Sequence, residues 1–128
     1  MRSFDKLRTS FTHILIYSTD LYKTAQFYEK LGFKIKEQTD SFIIAKLGDF
    51  KLHCYDQSKV FFKQDVERFK GAGVFICILT DDVDEKYSEL VNRGLQPSAV
   101  PKDFDWGSRE FAIKDPDGYK IVFYKKIK

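Results

Sequence analysis

The sequence predicts an α+β fold of two tandem βαβββ modules. Three observations carry that expectation. Short runs rich in β-branched and aromatic residues flank two amphipathic helical segments. Both helical segments open on an Asp and close on a Gly. The opening residues Asp20 and Asp82 differ by 62 positions, as do the closing Gly32 and Gly94, Leu21 and Val83, and Tyr28 and Leu90. A constant offset across caps, core positions and stops is the mark of a duplicated unit.

The elements follow in order. Residues 1–10 are polar and read as a flexible arm. Phe11 to Ser18 (FTHILIYS) reads as a strand. Ser18, Thr19 and Asp20 supply oxygens for the free amides of a first helical turn. Leu21, Thr24, Tyr28 and Leu31 recur at helical spacing, and Gly32 ends the helix. Phe33 to Lys36, Ser41 to Leu47 and Phe50 to Tyr55 are the next strands, the last two joined at Gly48-Asp49. Residues 57–72 read as a linker with room for a helical turn. The pattern then restarts with a strand at Val74 to Leu79, caps at Thr80 to Asp82, and a helical face of Val83, Tyr87, Leu90 and Val91. Leu95 to Val100 is expected to be a weak strand, interrupted by Pro97 and Pro101. Arg109 to Lys114 and Tyr119 to Lys125 are the closing strands around an Asp115-Pro116-Asp117-Gly118 turn. The domain is thus expected over residues 11–126, with module one at about 11–56 and module two at about 73–126.

Composition narrows the function classes. The net charge of +3 is mild, and the only tight basic cluster is the tail Lys125, Lys126 and Lys128. That reads as a solvated terminus, so no nucleic-acid partner is expected. No apolar run approaches the roughly 18 residues of a membrane span, and no signal peptide is read. Cys54 and Cys77 lie in apolar strand-like runs with no CxxC or disulfide spacing. Both are expected to be free buried thiols, which fits a reducing cytoplasm. There is no GxGxxG or P-loop, and neither Cys has a His at a recognisable spacing.

Three stretches carry a family resemblance. HILIYSTDLYKTAQFYEKLGF (His13 to Phe33), VFICILTDDVDEKYSELVNRGL (Val74 to Leu95) and WGSREFAIKDPDGYKIVFYK (Trp106 to Lys125) resemble the opening, middle and closing motifs of the vicinal oxygen chelate superfamily. That superfamily includes glyoxalase I, extradiol dioxygenases, and fosfomycin and bleomycin resistance proteins. The Trp106 to Phe111 run is most similar to the bleomycin resistance branch. The resemblance implies curved mixed sheets around an open cleft, pairing into homodimers, and, in catalytic members, a divalent metal such as Zn, Ni, Mn or Fe. The ligands would come from the first and last strands of each module.

Those positions are only half furnished here. His13 and Phe75 stand seven residues before their helix caps. His53 and Val122 are the matching last-strand positions. Alternation along a strand then sorts the side chains. Thr12, Ile14, Ile16, Leu52, Cys54, Val74, Ile76, Ile78, Ile121 and Phe123 suit the core. His13, Tyr17, His53, Tyr55, Phe75, Cys77, Val122 and Tyr124 face the other way, toward the implied cleft. Trp106 reads either as a lid over it or as a loop-anchoring aromatic.

A catalytic divalent site wants about three protein ligands, and Phe75 and Val122 donate nothing. The expectation is therefore a metal-free binder of a neutral-to-anionic aromatic molecule. Bleomycin itself is cationic and its sequestering relatives are acidic, whereas this chain is net positive. Two other readings stay open: a metal-dependent lyase, isomerase or dioxygenase using His13 and His53, and a dimerising module with no ligand.

Overall fold

The computed structural model describes residues 7–59 and 66–128. Residues 7–10 are exposed and outside regular structure; the remainder of the expected arm, and residues 60–65 of the expected linker, lie outside the described residues. Module one comprises β1 (Ile14–Ser18), α1 (Leu21–Leu31), β2 (Lys34–Gln38), β3 (Phe42–Leu47) and β4 (Phe50–Asp56). A single 3-10 turn (Gln57–Lys59) and a short α2 (Val66–Phe69) lead to module two. It contains β5 (Phe75–Leu79), α3 (Val83–Asn92), β6 (Lys102–Phe104), β7 (Ser108–Lys114) and β8 (Lys120–Lys126). The βαβββ order therefore occurs twice.

Each module folds into one four-stranded mixed sheet, in the order β1-β4-β3-β2 and β5-β8-β7-β6. The first strand pairs in parallel with the last, and the rest is antiparallel. The caps work as their chemistry dictates. Asp20 accepts the amide of Lys23, and Asp82 that of Glu85. Each such cap contributes about 1 kcal/mol. Gly32 closes α1 in the left-handed region at φ 115°.

The core lies between each helix and its sheet. Thr24, Tyr28 and Leu31 of α1 are buried, together with Ile16, Ile43, Leu52 and Cys54 beneath them. In module two Val83 and Leu90 are buried with Ile76, Phe111, Ile113, Ile121 and Phe123.

Three expectations are corrected. Leu95 to Val100 forms no strand. Pro97 and Pro101 have no amide to donate, and Ser98 makes the one backbone bond to β7, through Ala112. The strand forms beyond the second proline, at Lys102–Phe104. Thr12 and Val74 are exposed, because the ladders begin only at Ile14 and Phe75. Cys77 is exposed as well, since its face of β5 carries no helix; only Cys54 is a buried thiol.

The modules meet at a polar joint. The turn before β8 docks on the start of α1. Asp117 accepts from the Thr19 amide and hydroxyl, and Tyr28 donates its hydroxyl to Asp115. The Tyr119 hydroxyl takes the Tyr17 amide, satisfying a donor on the edge strand β1. Lys70 reaches in from the linker to form an ion pair with Asp117 at 2.9 Å, with side-chain exposures of 8% and 2%. Gly71 is required there. It has φ +79°, and a Cβ would stand 2.4 Å from the Gly118 carbonyl oxygen. At the other helix ends, the Arg93 guanidinium donates to the Lys30 carbonyl at the end of α1.

Candidate ligand-binding faces

The face of each sheet away from its helix carries the candidate residues. The ladders fix which positions correspond. Leu15 stands opposite His53 and Tyr17 opposite Tyr55 in module one. Cys77 stands opposite Val122 and Leu79 opposite Tyr124 in module two. His53 and Val122 are therefore equivalent positions, as are Tyr55 and Tyr124.

The structure distributes these side chains over three concavities rather than one. His13 and His53 line a pocket of about 480 Å³ with Thr12, Lys36, Ile44, Lys46 and Lys51. Their rings stack with centroids 3.6 Å apart and planes 8° from parallel. His13 Nδ1 shares a hydrogen bond with the Thr12 hydroxyl at 2.9 Å. His53 has its pKa lowered, first by burial, then by His13 and Lys51, with Glu37 opposing. Burial and the neighbouring basic groups both disfavour the charged form of His53.

Phe75, Val122, Tyr124 and Trp106 line a larger pocket of about 610 Å³, shared with Cys77, Gly107, Ser108, Glu110 and Lys126. Most of its accessible wall is apolar. Phe75 and Trp106 are 59% and 69% exposed, unusual for rings of that size in a folded chain. Trp106 is held in place on two sides. Its ring stacks on Phe104 at 4.5 Å, and its Nε1 donates to Glu110 at 3.0 Å. The Ser108 hydroxyl donates to the same Glu110 oxygen. Burial raises the pKa of Cys77, with Glu110 adding to the effect, so the thiol is not an activated nucleophile.

Tyr17 instead lines a third concavity of about 340 Å³ at the seam between β1 and β5, with Ile14, Ile16, Val74, Ile76 and Tyr119 among its walls. Tyr55 stacks on Phe42 at 5.7 Å. The sequence reading missed Glu110, Lys36, Lys46 and Lys51, which sit on the middle and outer strands. The signal was present: Ile43 and Ala45 are buried, so alternation turns Ile44 and Lys46 outward, and Phe111 and Ile113 do the same for Glu110.

Among the described residues, no group of three or more His, Cys, Asp and Glu is gathered closely enough to hold a metal ion. No helix among them is long and apolar enough to cross a membrane.

Comparison with known proteins agrees with this architecture. A bleomycin resistance protein of Geobacillus stearothermophilus is 31% identical over 120 residues, covering 85% of this chain and 91% of that protein. One from Klebsiella pneumoniae is 30% identical over 108 residues, covering 79% of this chain and 80% of that protein. Among solved structures, a glyoxalase/bleomycin resistance protein/dioxygenase from Nocardioides superposes with a TM-score of 0.80 at 20% identity, covering 98% of this chain and 88% of that one. A bleomycin-binding protein complexed with bleomycin superposes at 0.64 with 25% identity, covering 92% of this chain and 99% of that one. The family model of the Glyoxalase/Bleomycin resistance protein/Dioxygenase superfamily matches residues 10–123. The chain belongs to that superfamily.

Proposed function

We propose that this chain is a small-molecule binding protein of the bleomycin resistance type that works without a metal. Its ligand is aromatic and neutral to anionic, held against the rings of module two. The observation that carries this reading is the open, mostly apolar pocket of about 610 Å³ walled by Phe75, Trp106 and Tyr124, with Glu110 and Ser108 as its polar groups. Large rings around a few placed polar groups are the usual make-up of a small-molecule site.

The donor set argues against a divalent ion. Imidazole lone pairs lie in the ring plane, so two parallel rings 3.6 Å apart do not converge on one point. Three lysines surround them, and the equivalent positions in module two are Phe75 and Val122. A cation finds neither ligands nor favourable field there.

The working form in this reading is a homodimer in the cytoplasm. The face of module one in one chain meets the face of module two in the other, completing a site that each chain presents only as halves. Support comes from the separate pockets and from the exposed Phe75, Leu79 and Trp106.

The test is a thermal-shift screen of aromatic metabolites and antibiotics, followed by titration of each stabilising compound against Trp106 fluorescence. Trp106 is the only tryptophan, so quenching reports this pocket. Stabilisation with quenching supports the proposal, and no response from any compound sinks it. Metal analysis of protein purified without chelator checks the other half: tightly held stoichiometric metal would overturn the metal-free reading.

A further inference from the structure

The sheet face of module one carries a charge arrangement that folding alone does not explain. Lys34, Lys46 and Lys51 stand directly opposite one another across three adjacent strands. Like charges directly opposite in a sheet are destabilising. Lys36, at the bulge in β2, joins Lys46 and Lys51 in lining the pocket. Five other cations, Lys59, Lys70, Lys86, Arg93 and Arg109, have carboxylate partners, whereas scattered surface lysines such as Lys23 and Lys114 do not. What marks the sheet face is that its unpaired lysines are gathered in one row. Among the described residues, Lys34, Lys36, Lys46 and Lys51 form no ion pair.

The pocket adds two imidazoles and the Thr12 hydroxyl, and no acidic side chain lines it. The carboxylate that acts on His53 is Glu37, in the same cross-strand row as Ile44 and His53. A concave wall of one charge sign concentrates its field inside the concavity. One carboxylate would leave most of these cations unanswered. A compact group with two negative charges, touching several ammonium groups at once, matches them better.

We infer that the Lys36, Lys46, Lys51, His13 and His53 pocket is an anion site that seats a dianionic group, such as a phosphate monoester, of the small molecule bound by this protein. The inference rests on the binding function proposed above and names its ligand class: an aromatic molecule bearing a compact dianion. The rings of module two take the aromatic part, and the lysines of module one take the charge.

The experiment is calorimetric titration at constant ionic strength with three probes: phenyl phosphate, inorganic phosphate and phenol. Native protein is compared with a Lys46→Gln/Lys51→Gln variant and with Trp106→Ala. The expected order of affinity is phenyl phosphate first, with both fragments weaker. The lysine variant weakens both phosphates by about tenfold or more and leaves phenol unchanged. It also melts no lower than the native protein, because two opposed like charges are gone.

Phenyl phosphate binding equally to the native protein and the lysine variant would overturn the anion site. So would phosphate binding that chloride matches at equal ionic strength. Failure of the aromatic reading is distinguishable. Lysine-dependent binding of inorganic phosphate, with no contribution from Trp106 to any probe, keeps the anion site and removes the aromatic pocket.

Discussion

The Tyr28 hydroxyl, on the helix of module one, donates a 2.7 Å hydrogen bond to Oδ2 of Asp115, at the turn of module two 87 positions later. Both residues are buried. The other carboxylate oxygen accepts the amides of Asp117 and Tyr119. Burial raises the Asp115 pKa above its ordinary value against the pull of these three donors, and burial, with Asp115 adding to it, also raises that of Tyr28.

Removing the hydroxyl should loosen the joint. Tyr28→Phe keeps the ring packing and leaves Oδ2 without its donor in a buried place. The expected loss is about 1–3 kcal/mol, read by urea unfolding. An unchanged midpoint would show that the joint holds without this bond.

Asp115 also gives stability a pH dependence of known sign. Its folded pKa is raised, so the folded state holds the proton at pH values where the unfolded carboxyl, with a pKa of about 3.9, has released it. Its contribution favours folding at low pH and is lost as pH rises through the folded pKa. Asp115→Asn should remove this component. The stability gap between native and variant protein is then greatest below the unfolded pKa and narrows with rising pH. A pH-independent gap between pH 3.5 and 7 would contradict the assignment.

Lys70 and Asp117 are nearly buried, so breaking the pair should exceed any surface charge change. Lys70→Met strands the Asp117 carboxylate and should destabilise by about 3–5 kcal/mol. Adding Asp117→Asn to that variant should recover part of the loss. Two losses that simply add would indicate no coupling between the residues.

The cysteines should react in sequence. Cys54 is buried and its thiol pKa is pushed up to about 12, whereas Cys77 is exposed in the aromatic pocket. Iodoacetamide should label Cys77 in the folded protein, faster at higher pH, and Cys54 only on unfolding. Mass spectrometry of native and urea-treated samples reads both. A compound that fills the pocket should slow Cys77 labelling.

The local elements were legible because their causes are local. The Asp20 and Asp82 caps, the Gly32 stop and the Asp115 to Gly118 turn each depend on a few neighbouring atoms. So does the alternation that buried Leu52 and Cys54 and turned His53 outward. The joint was not legible. Helical spacing placed Tyr28 in the core, but nothing near it in sequence announces Asp115. The division of the candidate residues was not legible either. Alternation assigns a face, not which of two sheets owns it. The opposed lysines also needed the register, which places Lys34, Lys46 and Lys51 in one row. The weak strand at Leu95 to Val100 failed because the two prolines outweighed its apolar content.

The separation of the cationic and aromatic pockets has a genetic consequence. In the homodimer proposed above, each complete site would draw its lysines from one subunit and its rings from the other. A chain altered at Lys46 and Lys51 and a chain altered at Trp106 would then each bind poorly when paired with themselves. Mixed together, they would rescue one another, because the hybrid pair would have one site with both lesions and one with neither. Two defective alleles would then complement, restoring up to half of the binding capacity in each hybrid molecule.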